Sequence, residues 1–211
     1  SSLMKSNSMT LVNLVLRSFF SPKSVLGYVV NLDLNWRTLI EAALFVSIVN
    51  TLLTHLFNIV TYSANTDEET LFGPYLDLVL NRPFLLSIIE FGKIFFITTL
   101  LTYGGRLFSG AGSFFNALKG VVWVHFVLIF INLGLFIAIQ LNITLAGYLI
   151  ILTNFWIMWV LSESAVKIHN FRSTFMVFAV GFVLFILVIA ILVQIMDSLG
   201  FGFLERAGFG A

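Results

Sequence analysis

The residues best placed to do chemistry are a carboxylate and an amine inside a long apolar stretch. The segment from Pro83 to Tyr103 reads PFLLSIIEFGKIFFITTLLTY and carries Glu90 and Lys93 three residues apart. Residues at this spacing share one face of a helix and can form an ion pair. Because a charge in the membrane interior costs about 3 kcal/mol or more, we expect this face to turn toward the protein. Such a pair could relay protons or hold a polar substrate.

Polar residues on the other apolar segments fall at similar depths. At about 1.5 Å per residue, His55 lies at the level of Glu90, because the two segments are consecutive and antiparallel. This count predicts a buried polar cluster made of Asn50, His55, Glu90, Lys93, Asn132 and Asn154. The cluster could form a relay, or it could only join helices by hydrogen bonds and fix their packing. We favour the structural role, because a Glu–Lys pair can be neutral and self-satisfied.

The sequence lacks the motifs of the common enzyme and cofactor classes. Without cysteine it has no thiolate zinc site, iron–sulfur site or cysteine nucleophile. A b-type haem needs two histidines at one depth, whereas His55 and His125 differ by roughly 15 Å. There is no G-x-S-x-G or H-E-x-x-H, and Gly110-Ala-Gly112 lacks the third glycine of a dinucleotide fingerprint. We therefore expect no enzymatic activity, no cofactor, no metal and, without a basic patch outside the lipid-facing loops, no nucleic-acid partner.

The composition shows what kind of element must carry these residues. Hydrophobic residues make up 59% of the 211 and charged residues 10%, against about 25% charged in a soluble domain. The chain is therefore expected to be an all-α membrane protein. Runs of about 20 apolar residues predict a five-helix transmembrane domain over 37–199, with spans at about 37–62, 83–103, 121–140, 145–166 and 175–196.

The remaining segments flank the spans. We expect residues 1–36 to be a cytoplasmic segment. Within Leu11–Phe20, polar residues recur at helical spacing and apolar residues fill the other face. We expect an interfacial amphipathic helix there, followed at Ser21-Pro22 by a second short helix to about Val30. Residues 63–82 form an acidic connection, and residues 200–211 form a tail rich in glycine and phenylalanine.

Lysine and arginine are distributed unevenly between the two ends of the spans. Eight of the eleven fall before or at the start of the first span, between the second and third, or between the fourth and fifth. This asymmetry predicts a cytoplasmic N-terminus and a C-terminus outside. The residues expected to contact lipid headgroups are Arg17, Lys23, Arg37, Arg106, Lys119, Lys167 and Arg172.

Several of these features together resemble the Yip family of membrane proteins in its short bacterial form. They are the amphipathic segment with Ser21-Pro22, the proline-led second span at Pro83, the segment Gly110-Ala-Gly112-Ser113-Phe114, and the end of the fourth span from Trp156 to His169. The resemblance covers about residues 10–200. It implies five spans, a cytosolic N-terminus and, for eukaryotic members, work in early secretory traffic with Rab GTPases.

Two departures limit what the resemblance implies. Eukaryotic members carry a long cytosolic N-terminal region, which we do not expect here. Their D-L-Y-G-P motif also precedes the first span, whereas Leu71-Phe-Gly-Pro74 follows it. We therefore expect a bacterial cytoplasmic (inner) membrane and no Rab-type GTPase partner.

Three functions are compatible with the sequence. The first is a non-enzymatic scaffold or accessory subunit that binds another integral membrane protein within the lipid bilayer. The second is a small transporter or channel that uses Glu90, Lys93 and His55, although no internal repeat supports it. The third is a lipid-binding or membrane-shaping protein that acts through the N-terminal amphipathic helix.

Overall fold

The computed structural model describes residues 10–62, 79–196 and 198. Its elements are α1 (Leu11–Phe20), α2 (Pro22–Val30), α3 (Trp36–Tyr62), α4 (Pro83–Leu107), α5 (Phe114–Leu141), α6 (Ile143–His169) and α7 (Thr174–Met196). A helical turn at 79–81 precedes α4. The acidic part of the 63–82 connection and the 200–211 tail lie outside the described residues.

Five of these helices, α3 to α7, are long and apolar enough to cross a membrane. They correspond to the five predicted spans, and the short helices α1 and α2 precede them. The all-α fold with an amphipathic helix ahead of five spans is therefore confirmed. α1 has Leu14, Val15 and Ser18 on its buried side and a basic residue, Arg17, in its last turn.

Local signals in the sequence set most helix ends. Pro22 and Pro83 occupy the first turns of α2 and α4, where proline needs no hydrogen-bond partner. The Asn35 side chain accepts a hydrogen bond from the Thr38 amide at 2.7 Å and starts α3. Ser113 caps α5 in the same way, through the Asn116 amide at 3.3 Å.

A single residue joins α5 to α6. Asn142 ends α5, and its side chain accepts a hydrogen bond from the Leu145 amide at 3.0 Å. The same asparagine is thus the N-cap of α6, so the two helices form a tight antiparallel hairpin. At the other end of α6, Asn170 has a left-handed backbone with φ of 57°, a conformation that asparagine tolerates at helix ends.

Two predicted boundaries need correction. The second span was expected to end at about residue 103, but α4 continues through Gly104 and Gly105 to Leu107. The third span was expected to begin at about residue 121, but α5 begins at Phe114. In both places the added turn packs against the end of α6: Gly105 lies against His169, and Ala117 packs with Ile168. These tertiary contacts outweigh a weak local propensity.

α5 and α6 lie at the centre of the bundle. α5 contacts α2, α3, α4 and α6, whereas α6 contacts α2, α4, α5 and α7. The largest buried cluster joins three helices through Leu39, Ala43, Val46, Ile94, Leu118, Val121, Val122 and Ile129. Trp36 stacks on Phe114, so α3 starts at the same end as α5. We call this end, where α6 also finishes, the His169 end.

The short helices form a hairpin along α5 and α6. Leu26 of α2 packs with Val124 and Val160, and Phe19 of α1 stacks on Trp156 with ring centroids 5.3 Å apart. Trp156 lies thirteen residues before the end of α6, which is about 20 Å along the helix axis. The predicted interfacial segment therefore has a protein-facing side that follows α6 to about half its length.

Candidate functional site

The ion pair predicted on α4 is present, but it is not enclosed. The Lys93 ammonium lies 2.5 Å from the Glu90 carboxylate, and the side chains remain 44% and 21% exposed, respectively. Leu86, Ile94 and Thr98 fill the buried side of α4 instead. Both charges lie close enough to the buried His125 of α5 to interact with it electrostatically. The pair thus sits at the margin between the protein interior and the outward face of α4, which corrects the expectation that its face turns inward.

Two asparagines of the predicted cluster do meet in the interior. The Asn132 side-chain amide of α5 donates to the Asn50 side-chain oxygen of α3 at 3.0 Å. Asn50 in turn donates to the backbone carbonyl of His125 at 3.0 Å. Asn50 is 5% exposed, so both bonds are shielded. They tie α3 to α5, as small polar groups commonly do between membrane helices.

The other two members of the predicted cluster lie elsewhere. The His55 ring donates to the Val79 carbonyl at 2.7 Å, rather than meeting Glu90, and so fastens the turn before α4 to α3. Asn154 is exposed on α6 and donates to the Ile150 carbonyl of its own helix. Depth counting placed both residues at suitable heights, but their side chains point in other directions around the helix axes.

A second group of contacts forms at the His169 end, which the predicted polar cluster did not include. The buried His169 ring lies against Gly105, Gly110 and Gly112, which we call the glycine cradle. A Cβ atom on Gly105 or Gly110 would lie 2.2 Å from a ring nitrogen, and one on Gly112 would lie 2.5 Å from Ile168 and 2.6 Å from the ring. Glycine is required at these positions because no side chain fits between the backbone and the imidazole.

The hydrogen bonds of His169 fix its protonation. Its Nδ1 accepts the Gly112 amide proton at 3.0 Å, and because an amide N–H only donates, Nδ1 carries a lone pair. Its Nε2 lies 3.0 Å from the Leu101 carbonyl and donates to it. The ring is therefore the neutral Nε2–H tautomer. Both nitrogens are bonded to backbone groups, so His169 joins α4, α5 and α6 and is not available as a metal ligand in this arrangement.

Lys119 has a structural position rather than the predicted contact with lipid headgroups. It is 6% exposed and donates to the carbonyls of Val30 at 3.0 Å and Leu32 at 2.6 Å. Its ammonium also lies 4.8 Å from the centre of the Phe115 ring. The carbonyls at the end of α2 have no partners within their own helix, and a lysine from α5 satisfies them. This cation therefore holds the α1–α2 hairpin to the bundle.

The other cations expected at the headgroups are exposed: Arg17, Lys23, Arg37, Arg106, Lys167 and Arg172. Arg37 pairs with Glu41 at 2.8 Å. Arg106 donates to the Gly112 carbonyl, the residue whose amide binds His169. The Lys167 stem crosses α2 at Gly27, where a Cβ would lie 3.1 Å from its Cε. Their contact with lipid headgroups stays a prediction.

Two buried polar residues of α6 were not among the predicted site residues. Glu163 is 7% exposed, Ser164 is fully buried, and neither Glu163 Oε2 nor Ser164 Oγ has a hydrogen-bond partner among the described residues. Glu163 lies between Val160 and Lys167 along the side of α6 that contacts α2. Its spacing to Lys167 suggests an ordinary exposed i,i+4 pair, which is why sequence alone did not single it out.

The polar groups thus divide into separate structural units. Three of these units join helices by hydrogen bonds to backbone or side-chain groups. They are the Asn50–Asn132 pair, His169 in the glycine cradle, and Lys119 at the end of α2. Among the described residues that lie within the spans and away from the helix ends, Glu90 and Lys93 present charge toward the outside of the bundle. Comparison with protein-family models, curated proteins and solved structures finds no match to this chain. The function must therefore be argued from these residues.

Proposed function

We propose that this chain is a non-enzymatic scaffold or accessory subunit that binds a transmembrane protein through the outward face of α4. The supporting observation is the position of the Glu90–Lys93 pair. Lys93 lies ten residues from Pro83 and fourteen from Leu107, or about 15 Å and 21 Å along the axis. In a hydrocarbon layer about 30 Å thick, this places the pair near the middle.

A half-exposed ion pair at that depth is unfavourable against lipid. Charged side chains within spans almost always face other helices or water, because hydrocarbon offers neither hydrogen bonds nor screening. The lysine stem reaches about 6 Å and so cannot bring its ammonium to the membrane surface from there. A second protein packed on this face would shield the pair and supply hydrogen bonds.

Transport receives less support from the geometry. A relay needs its polar groups in sequence, but His55 bonds to Val79 and Asn154 bonds within its own helix. The asparagine pair is buried and satisfied. The proposed setting is a bacterial cytoplasmic membrane, and membership of the Yip family stays part of this proposal on the motifs that resemble it.

The test is isolation of the protein in nanodiscs formed directly from native membranes. We expect a particle that contains this chain and a second transmembrane chain in fixed ratio. Replacing the pair with Glu90→Leu and Lys93→Leu should release that chain, because the polar contacts are lost. The matched control is Arg37→Leu with Glu41→Leu, which removes an exposed ion pair at the end of α3. A wild-type particle that contains a single copy of this chain and otherwise only lipid would contradict the proposal.

A further inference from the structure

The outward face of α4 carries a continuous row of exposed side chains. We call this row the α4 seam; it consists of Ile89, Lys93, Phe96, Leu100, Tyr103 and Leu107, at successive spacings of four, three, four, three and four. The apolar members are between 46% and 85% exposed. An average spacing of 3.5 residues keeps such a row facing a second, nearly parallel helix along its length.

We infer that the transmembrane protein covering the α4 seam is a second copy of this chain. This inference rests on the proposed function and names its partner. The observation that favours a second copy is charge complementarity. Arg106 lies over the Tyr103 ring near the end of the seam, but at mid-membrane the seam has one cation, Lys93, and the acidic group beside it among the described residues is Glu90. Each copy therefore presents one charge of each sign at mid-membrane. Two copies bring four charges that sum to zero, without any further protein.

The geometry of two copies in one membrane fits this pairing. Copies inserted in the same direction are related by a two-fold axis along the membrane normal, so their α4 helices run parallel. Residues with the same number then lie at the same height. Glu90 and Lys93 differ by three residues, about 4.5 Å in height, which lets each Lys93 lie between its own Glu90 and that of the second copy.

Gly92 gives room for this arrangement. It precedes Lys93 at the flank of the seam, and no atom of the chain lies within 4 Å of where its Cβ would be. In parallel helix pairs, the residue at this flanking position packs against the seam residue of the other helix. A glycine there leaves space for the long Lys93 side chain of the second copy. Gly134 and Gly147 also have no atom within 4 Å of a Cβ position. An open glycine therefore indicates the interface only where it lies beside the charged residues.

Cysteine cross-linking in native membranes tests the contact directly, because the chain has no cysteine of its own. We expect Ile89→Cys and Phe96→Cys to give covalent dimers on mild oxidation. The matched control is Ile88→Cys: it is the same residue type, adjacent and 52% exposed, but it lies about 100° around the helix. Its dimer yield should be at least about fivefold lower than that of Ile89→Cys.

Charge reversal tests the pairing across the interface. Glu90→Lys and Lys93→Glu should each weaken self-association about tenfold, because each places like charges together at low dielectric. When the two variants are co-expressed with different tags, the mixed dimer should recover wild-type yield. If Glu90 and Lys93 acted only within the fold of one chain, co-expression of the two variants would not restore dimer formation. Recovery of the mixed dimer therefore supports contact between chains even if each variant alone folds poorly.

The outcomes separate this inference from the proposed function. If Ile89→Cys cross-links to a different membrane protein, the second copy is wrong while the proposed function stands. If seam cysteines give no dimer, the second copy is wrong, and the composition of the native nanodisc particle decides whether the proposed function stands. Equal dimer yields from Ile88→Cys and Ile89→Cys would indicate random collision and overturn the inference, as would failure of the mixed dimer to recover.

Discussion

At the scale of single residues, the fold depends on backbone positions where a side chain has no room. Gly105 packs against the His169 ring, whereas its neighbour Gly104 has no atom within 4 Å of a Cβ position. Both lie in the last turns of α4. Alanine substitutions at the two adjacent positions therefore distinguish the effect of close packing, at Gly105, from the effect of helix propensity alone, at Gly104.

We expect Gly105→Ala to lower the free energy of unfolding by about 2–4 kcal/mol, because the imidazole must leave its cradle and lose two hydrogen bonds. Gly104→Ala should be neutral or stabilising by up to about 1 kcal/mol, since alanine favours the helix. Thermal unfolding of both variants in the same detergent measures the difference. Equal stabilities would show that His169 does not lie against Gly105.

The ion pair of α4 allows a second prediction at this scale. Glu90→Ala leaves Lys93 without its carboxylate and should destabilise the detergent-solubilised chain by about 1–2 kcal/mol, a moderate effect because both side chains are partly exposed. Glu41→Ala should change stability by less than about 0.5 kcal/mol. Glu90→Leu with Lys93→Leu should restore stability, and loss of stability in that double variant would mean that the pair has a further buried partner.

At the scale of elements, α5 and α6 cross at a contact between Gly120 and Ser164. A Cβ on Gly120 would lie 2.4 Å from Ser164 Oγ but 3.7 Å from its Cβ. Because this hydroxyl has no hydrogen-bond partner among the described residues, its removal should cost little. A methyl group at Gly120 would therefore clash with the Ser164 hydroxyl, and removal of that hydroxyl should relieve the clash.

Gly120→Ala should destabilise the chain by about 1–3 kcal/mol through overpacking, and Ser164→Ala added to it should recover most of that loss. Gly134→Ala, later in α5 with open space around it, is the control and should not destabilise. A double-mutant cycle on unfolding free energies measures the coupling. Strict additivity of the two changes would mean that the helices do not meet at this point.

The α1–α2 hairpin shows how much an element depends on its surroundings. The periodicity of Leu11–Phe20 and the proline at residue 22 predict two short helices, which the structure confirms. Their position along α5 and α6 depends on contacts distant in sequence, such as the Trp123 ring nitrogen donating to the Ser18 hydroxyl at 3.0 Å. Periodicity defines which side of a helix is apolar, but not which neighbour covers it.

At the scale of the whole molecule, basic residues collect at the His169 end. This end contains the end of α2, the 108–113 turn and the 170–173 turn, whereas the α5–α6 turn at Asn142 lies at the opposite end. The asymmetry predicts that the His169 end faces the cytoplasm. The same orientation would hold for both copies of a two-fold dimer.

Single cysteines test this orientation in intact cells. Thr144→Cys, in the first turn of α6, should react with a membrane-impermeant maleimide added outside. Arg172→Cys, in the turn before α7, should react only after the cells are opened. Both positions are exposed, so accessibility within the protein does not differ between them. The reverse labelling pattern would show that the chain is inserted the other way.

The sequence by itself determined the number of long helices, most of their ends and the height of each polar residue along the bundle. Apolar runs, proline and capping residues act locally, so they can be read without knowing the neighbours. Only the tertiary structure decided which polar groups meet: Asn50 with Asn132, His55 with Val79, and Lys119 with the end of α2. The physical reason is that counting residues gives a height along a helix, whereas contact also depends on the rotation of each helix about its axis. That rotation is set by packing among all the helices at once.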